Sequence, residues 1–256
     1  MKRILNFIVL LIIIFFACSM FAASDHSADE KNNSIKQEKP KYWSGDVHFG
    51  MAANSGNSRN RNILGQLNLK YEKDKWRNRF HTDGQLSSSE DGRTAQNFNF
   101  AGESEYYFVP QNFSFGKLDY KYDDFAPYVY VTKIIAGLGW KPFDTEKVRL
   151  LFKLGPGYRR QKEAQSKKVD KDMVGYVAME FAWHLNKNNT IEQYLSFTDG
   201  PRNDYTYSKT ALLTKIIGNL GMEVSFTVKH NSKIPKFSKN KYKTDTATNV
   251  LLVYKF

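Results

Sequence analysis

Alternation of apolar and polar residues, repeated in segment after segment from Trp43 onward, most narrows what this chain can fold into. Within 76–86, Trp76, Phe80 and Leu86 share one parity, and Arg77, Arg79, His81, Asp83 and Gln85 share the other. Phe98, Phe100, Tyr106 and Phe108 alternate against Asn97, Asn99, Glu103 and Glu105. Val148, Leu150, Phe152 and Leu154 alternate with Arg149, Leu151 and Lys153, and Met173, Val177, Met179, Phe181 and Trp183 with Asp172, Glu180 and His184. Leu220, Met222, Val224, Phe226 and Val228 stand opposite Asn219, Glu223, Ser225, Thr227 and Lys229. A period of two places successive side chains on opposite faces of a strand, whereas helical spacing would scatter these sets around a cylinder.

Turn signals divide 43–256 into about twelve strands, with 10–14 admissible, beginning near Trp43, Ser58, Trp76, Gln96, Asn112, Pro127, Lys147, Lys171, Asn189, Asp204, Gly218 and Thr244. Most reach the ~9–11 residues a tilted strand needs to cross the apolar layer. The fold class expected is all-β, an antiparallel transmembrane β-barrel. Parity slips in 120–130 and 209–218, as a bulge would cause. Short connections at 72–75, 109–111, 142–146, 186–188 and 214–217 alternate with longer polar ones at 87–95, 160–170 and 234–243. Short periplasmic turns opposite long external loops are the barrel asymmetry. Trp76, Phe108, Phe113, Trp140, Phe143, Trp183 and Tyr254 lie beside the short turns, where amphipathic rings would form an interfacial girdle.

The N-terminus reads as an export signal. Lys2 and Arg3 precede an apolar run from Ile4, and Ala22, Ala23 and Ser24 suit cleavage, so 1–24 is expected to be a signal peptide. A permanent anchor helix and a lipidated Cys18 are the competing readings. Residues 25–42 are polar, with no apolar period, and read as a flexible periplasmic leader. Cys18 is the one cysteine, so the cleaved protein has neither disulfides nor thiolate metal sites.

The formal charge of +12 falls to +10 without Lys2 and Arg3. The basic residues are scattered apart from Lys233, Lys236, Lys239, Lys241 and Lys243, all in one expected loop. Partners expected are outer-membrane lipids and lipopolysaccharide, and no nucleic acid. Val250, Leu252, Tyr254 and Phe256 share a face with Thr248. A terminal aromatic with apolar residues behind it resembles the insertion signal read by the barrel-assembly machinery.

Taken in order, several short motifs resemble one family. They are Asn54-Ser55-Gly56-Asn57-Ser58, Trp76-Arg77-Asn78-Arg79-Phe80, Gly137-Leu138-Gly139-Trp140, Gly155-Pro156-Gly157-Tyr158-Arg159, His230-Asn231-Ser232, Lys243-Thr244-Asp245-Thr246 and Tyr254-Lys255-Phe256. The chain resembles the YdiY-like salt-induced outer-membrane proteins, a family defined by a domain of unknown function, over about 43–256. The lysine-rich segment after Arg160 and the Phe125-Ala126-Pro127 junction depart from that pattern. The resemblance implies the barrel, an outer-membrane location and a link to salt or envelope stress; it implies no reaction.

No histidine–carboxylate set has metal spacing, no cofactor is expected, and no phosphate-binding glycine loop joins a strand to a helix. Gly155-Pro156-Gly157 reads as strand bending at a barrel rim. Inward parity collects Arg77, Arg79, His81, Asp83, Glu103, Glu105, Arg149, Lys153, Glu180, Glu192, Glu223 and Lys229. These could line a narrow solute path or fill the interior as paired charges. The expectation is a non-enzymatic barrel with a structural, envelope-stress or narrow channel role. The alternative is an outer-leaflet lipid hydrolase using His230 and Ser232, which share the lipid-facing parity but lack a third partner, since Asp245 has the wrong parity.

Overall fold

The computed structural model describes residues 42–54, 60–89, 92–235 and 242–256. The expected signal peptide with Cys18, the leader up to Lys41, and Lys236, Lys239 and Lys241 lie outside the described residues. Twelve strands follow one another: β1 (Trp43–Asn54), β2 (Asn60–Lys73), β3 (Trp76–Ser89), β4 (Gly92–Val109), β5 (Asn112–Asp123), β6 (Tyr128–Asp144), β7 (Val148–Glu163), β8 (Val169–His184), β9 (Asn189–Asp199), β10 (Tyr205–Ile217), β11 (Leu220–Asn231) and β12 (Thr244–Lys255). Each pairs antiparallel with its neighbours in sequence, and β1 meets β12 to close the barrel. Closure leaves no long free edge, which is how a sheet satisfies its backbone within lipid.

Outward parity carries the apolar surface. Met51, Ile134, Leu138, Leu154, Met173 and Val250 are all exposed, as a soluble protein would not leave them in such continuous bands. Trp43, Trp76, Phe108, Trp140, Phe143, Trp183 and Tyr254 are exposed at the short-turn end and form the girdle. Phe113 is the exception among the girdle residues expected: its ring is wholly buried inside the barrel. Asn112 pairs with Trp140, and Phe113 faces Gly139, whose missing side chain leaves the space the ring occupies.

Some connections differ from those read in the sequence; of 160–170 only 164–168 lies outside strands, since β7 runs to Glu163 and β8 starts at Val169. The segment 87–95 is mostly strand, because β3 runs to Ser89 and β4 starts at Gly92. β4, β6, β7 and β8 hold 16–18 residues, so these strands project beyond the bilayer rather than ending in long loops. The segment 214–217 is the end of β10, carrying a register shift between Lys215 and Ile217; the turn itself is Gly218–Asn219, with Gly218 at φ 55°. Gly155-Pro156-Gly157 lies in the middle of β7, opposite Tyr176, Gly175 and Val174, and not at a rim.

Candidate functional site: the lumen

The interior is crossed by side chains at one level. From β3, Arg79 Nη1 donates to Glu180 Oε2 on β8 at 2.6 Å, five places round a ring of twelve strands. Arg79 Nη2 reaches Glu105 Oε1 at 2.6 Å and also Glu103, both on β4. From β7, Lys153 Nζ donates to Glu180 Oε1 at 2.8 Å, lies 3.1 Å from Glu105 Oε1, and pairs with Glu103. The Glu105 side chain is 0% exposed and that of Lys153 is 1% exposed. Burial of this kind strengthens each attraction but removes hydration, so it is tolerated only when every charge is met. Three carboxylates face two cations here, and the surplus is met at Glu105 Oε2 by the Tyr107 hydroxyl (2.9 Å) and Arg77 Nη1 (3.9 Å).

Beside this cluster the lumen is packed. Phe113, Phe115, Ile135, Leu151, Tyr176 and Ala178 form a buried apolar group, with Tyr107 and Tyr194 against it. Lys117 sits 5.6 Å from the ring centroids of both Tyr176 and Tyr194, whose hydroxyls are 2.8 Å apart. Asp119 lies 3.4 Å from Lys117 and 3.2 Å from Lys133.

The opposite wall is polar. His48 bridges Asp46 and Glu223 (Nδ1–Oε2 3.1 Å), and Lys209 reaches the same Glu223 at 2.8 Å. His81 lies 2.6 Å from Asn68 and 2.8 Å from Asp83, which also accepts from Asn99 at 2.7 Å. Arg149 and Glu192 both register opposite buried Ala182, and Glu192 is exposed to the lumen. Lys229 registers opposite Asp245. The twelve inward residues read from the sequence are thus placed in the lumen, most of them in two ionic groups. Sequence reading missed Asp46, His48, Lys117, Lys133 and Lys209. The alternation Lys117, Asp119, Lys121 carried the signal, but it sits in a segment whose apolar partners look irregular.

At the end opposite the short turns, the β9–β10 connection folds inward. Buried Arg159 donates from Nη1 to Asn203 O at 2.8 Å and lies 3.4 Å from Asp172, while Arg202 pairs with Asp170. Asp204 and Ser232 bond reciprocally: Ser232 N donates to Asp204 O (2.9 Å), and Asp204 N to Ser232 Oγ (2.8 Å). The Gly200 N–H and the Ser232 hydroxyl hold the Asp204 carboxyl below the ordinary carboxylate range. His230 Nδ1 instead lies 2.8 Å from Thr244 Oγ1. The structure therefore commits His230 and Ser232 to different partners, because the chain turns out of β11 at Asn231. At the short-turn end, a cavity of about 590 Å³ lined by Glu72, Arg77, Tyr107, Lys141 and Asp144 leads toward the ionic cluster.

A family model described as "Protein of unknown function, DUF481" matches residues 47–256. The chain belongs to this family. No curated protein matches the sequence of this DUF481 member. Solved outer-membrane barrels share its fold. An outer membrane channel from Pseudomonas putida F1 is 11% identical, with 88% of this chain and 100% of that one covered, at TM-score 0.52. A NanC porin is 10% identical over 82% and 98%, at 0.51. The translocator domain of the autotransporter NalP from Neisseria meningitidis is 7% identical over 86% and 90%, at 0.50. At such identities the likeness is one of fold: this DUF481 chain has the closed antiparallel β-barrel architecture of those outer-membrane proteins.

Proposed function

We propose that this DUF481 chain is a non-enzymatic barrel of the bacterial outer membrane with a structural role in the envelope, closed to hydrated solutes. The observation that carries the reading is the Arg79–Glu180 bridge across the lumen, braced by Lys153, Glu103 and Glu105. A twelve-stranded barrel stands between filled small barrels and open porins, so the side chains decide. The salt and envelope-stress link comes from the resemblance alone. Outward Val250, Leu252 and Tyr254, with Phe256 bonded to Gly45, are the surface we assign to the assembly machinery.

Single-channel recording in planar bilayers tests this. The wild type is expected to show no steady conductance, and the charge-balanced Arg79→Ser/Glu180→Ser pair to conduct. Stable currents through the wild type would overturn the closed reading and favour the narrow channel, for which lumen-exposed Glu192 speaks. Heat-modifiable migration of the outer-membrane fraction tests the location. Lipid release should be nil and unchanged in Ser232→Ala, since the hydroxyl already serves the Asp204 backbone; loss of a measured release would restore the hydrolase.

A further inference from the structure

At the loop end of the barrel the cations and anions of β7 and β8 part company. A strand crosses the apolar layer in ~9–11 residues, which takes β7 from Val148 to Tyr158, and β8 back from Trp183, the register partner of Val148, to Met173. The next outward residues are Arg160 on β7 and Lys171 on β8. They register directly opposite each other, both exposed, with Lys162 diagonal to Lys171. Asp170 and Asp172 flank Lys171 in the chain, but alternation turns both inward, where they are buried and met by Arg202 and Arg159. Lys168, in the turn above, also lies 3.6 Å from Asp170, and Glu163 accepts the Ser166 hydroxyl.

Like charges directly opposite on one face of a sheet repel each other. Among the described residues Arg160, Lys162 and Lys171 form no salt bridge that would relieve this. Two exposed carboxylates stand at the ends of neighbouring strands. Asp124, beyond β5, accepts the Tyr122 hydroxyl, and Asp199 on β9 registers opposite Gly175, four positions from Lys171. From β6, the Tyr130 ring centroid lies 5.8 Å from the Arg160 guanidinium and steadies it. Thr132, Arg160 and Lys171 register side by side across β6, β7 and β8. The outward row below them is Ile134, Tyr158 and Met173, which are 58%, 40% and 68% exposed. A cationic row thus sits directly on an apolar one, at the level where the strands leave the hydrocarbon.

We propose that this corner of the barrel exterior docks a phosphorylated glycolipid of the outer leaflet, of the lipid A kind. The proposal rests on the outer-membrane reading above and gives that reading's lipid partner a place on named residues. The acyl chains lie along Ile134, Tyr158 and Met173, a surface that free phosphate has no means to use. A phosphate group takes the Arg160–Lys171 pair, where the guanidinium offers parallel N–H donors and the ammonium a point charge. Its negative charge removes the repulsion between β7 and β8 that the bare face carries. Arg160, Lys162 and Lys171 together exceed the single charge of a glycerophospholipid, and a bisphosphorylated sugar matches them more closely.

The test is lipid retention. The full-length barrel is reconstituted with bisphosphorylated lipid A, with its dephosphorylated form or with phosphatidylglycerol, and weighed by native mass spectrometry. The wild type is expected to retain one lipid A, and Arg160→Gln/Lys171→Gln about tenfold less. Lys187→Gln/Lys215→Gln removes the same charge from exposed residues at the short-turn end and should retain as much as the wild type. Unchanged retention by Arg160→Gln/Lys171→Gln, or an equal loss in the Lys187→Gln/Lys215→Gln pair, would overturn the proposal. So would retention of dephosphorylated lipid A or phosphatidylglycerol as strong as that of lipid A, or displacement of lipid A by an equal concentration of inorganic phosphate. All four side chains lie outside the lumen, and heat-modifiable migration of each variant checks that it folds. Recovery of the barrel in the inner-membrane fraction would count against the outer-membrane reading instead, and would leave the retention measured in vitro unchanged.

Discussion

Replacing Lys153 with methionine should be among the most destabilising single changes in this barrel, costing about 3–5 kcal/mol. The two side chains are similar in length, so the lost quantity is charge rather than volume. Lys153 is the buried cation common to Glu103, Glu105 and Glu180. Without it Arg79, helped only by Arg77 at 3.9 Å from Glu105, faces three carboxylates, two of them almost wholly shut off from water. A second substitution separates charge from packing: Lys153→Met/Glu180→Met restores the original surplus of one carboxylate and should recover most of the loss. Buried ion pairs exchanged for apolar groups of similar size are often close to neutral. Urea unfolding in lipid vesicles measures both. A single mutant as stable as the wild type would show that the cluster is hydrated and does not close the lumen.

How much of this was readable in the sequence follows from which solvent each face meets. Lipid demands an apolar residue at every second outward position, so Val148, Leu150, Phe152 and Leu154 announce a strand and its orientation. The inner face meets no such uniform demand. Phe113, Phe115, Ile135 and Leu151 are apolar on the inward parity, and so read as girdle residues or as breaks in the alternation. Nothing local says that they fill a lumen, because what they pack against arrives from β8 and β9. The stretch 87–95 fails for the opposite reason. Where β3 and β4 rise beyond the bilayer, both faces meet water, the period of two vanishes, and strand reads as loop. His230 and Ser232 shared a parity on paper; the end of β11 at Asn231 separates them.

Gly155→Val should prevent the barrel from forming a stable heat-modifiable species, or lower its stability by ~3 kcal/mol or more. A Cβ on Gly155 would stand 2.1 Å from Ala136 O and 2.8 Å from Gly137 Cα, and one on Gly137 would stand 2.1 Å from Leu154 O. All of these are backbone atoms of β6 and β7, so no rotamer change relieves the overlap. The register explains why the approach is so close. It runs Ile135↔Gly157 and then resumes at Leu138↔Leu154, leaving Ala136 and Gly137 against Gly155 and Pro156. Pro156 has no N–H to give to the ladder, and two facing glycines let the backbones press together where that bond is missing. A merely general intolerance of strand glycines is excluded by two controls. Cβ atoms on Gly65 and Gly116 would meet nothing within 4 Å, so Gly65→Ala and Gly116→Ala should leave stability unchanged or slightly raised. If Gly155→Val folds as well as these two, the close crossing of β6 and β7 is not a requirement of the barrel.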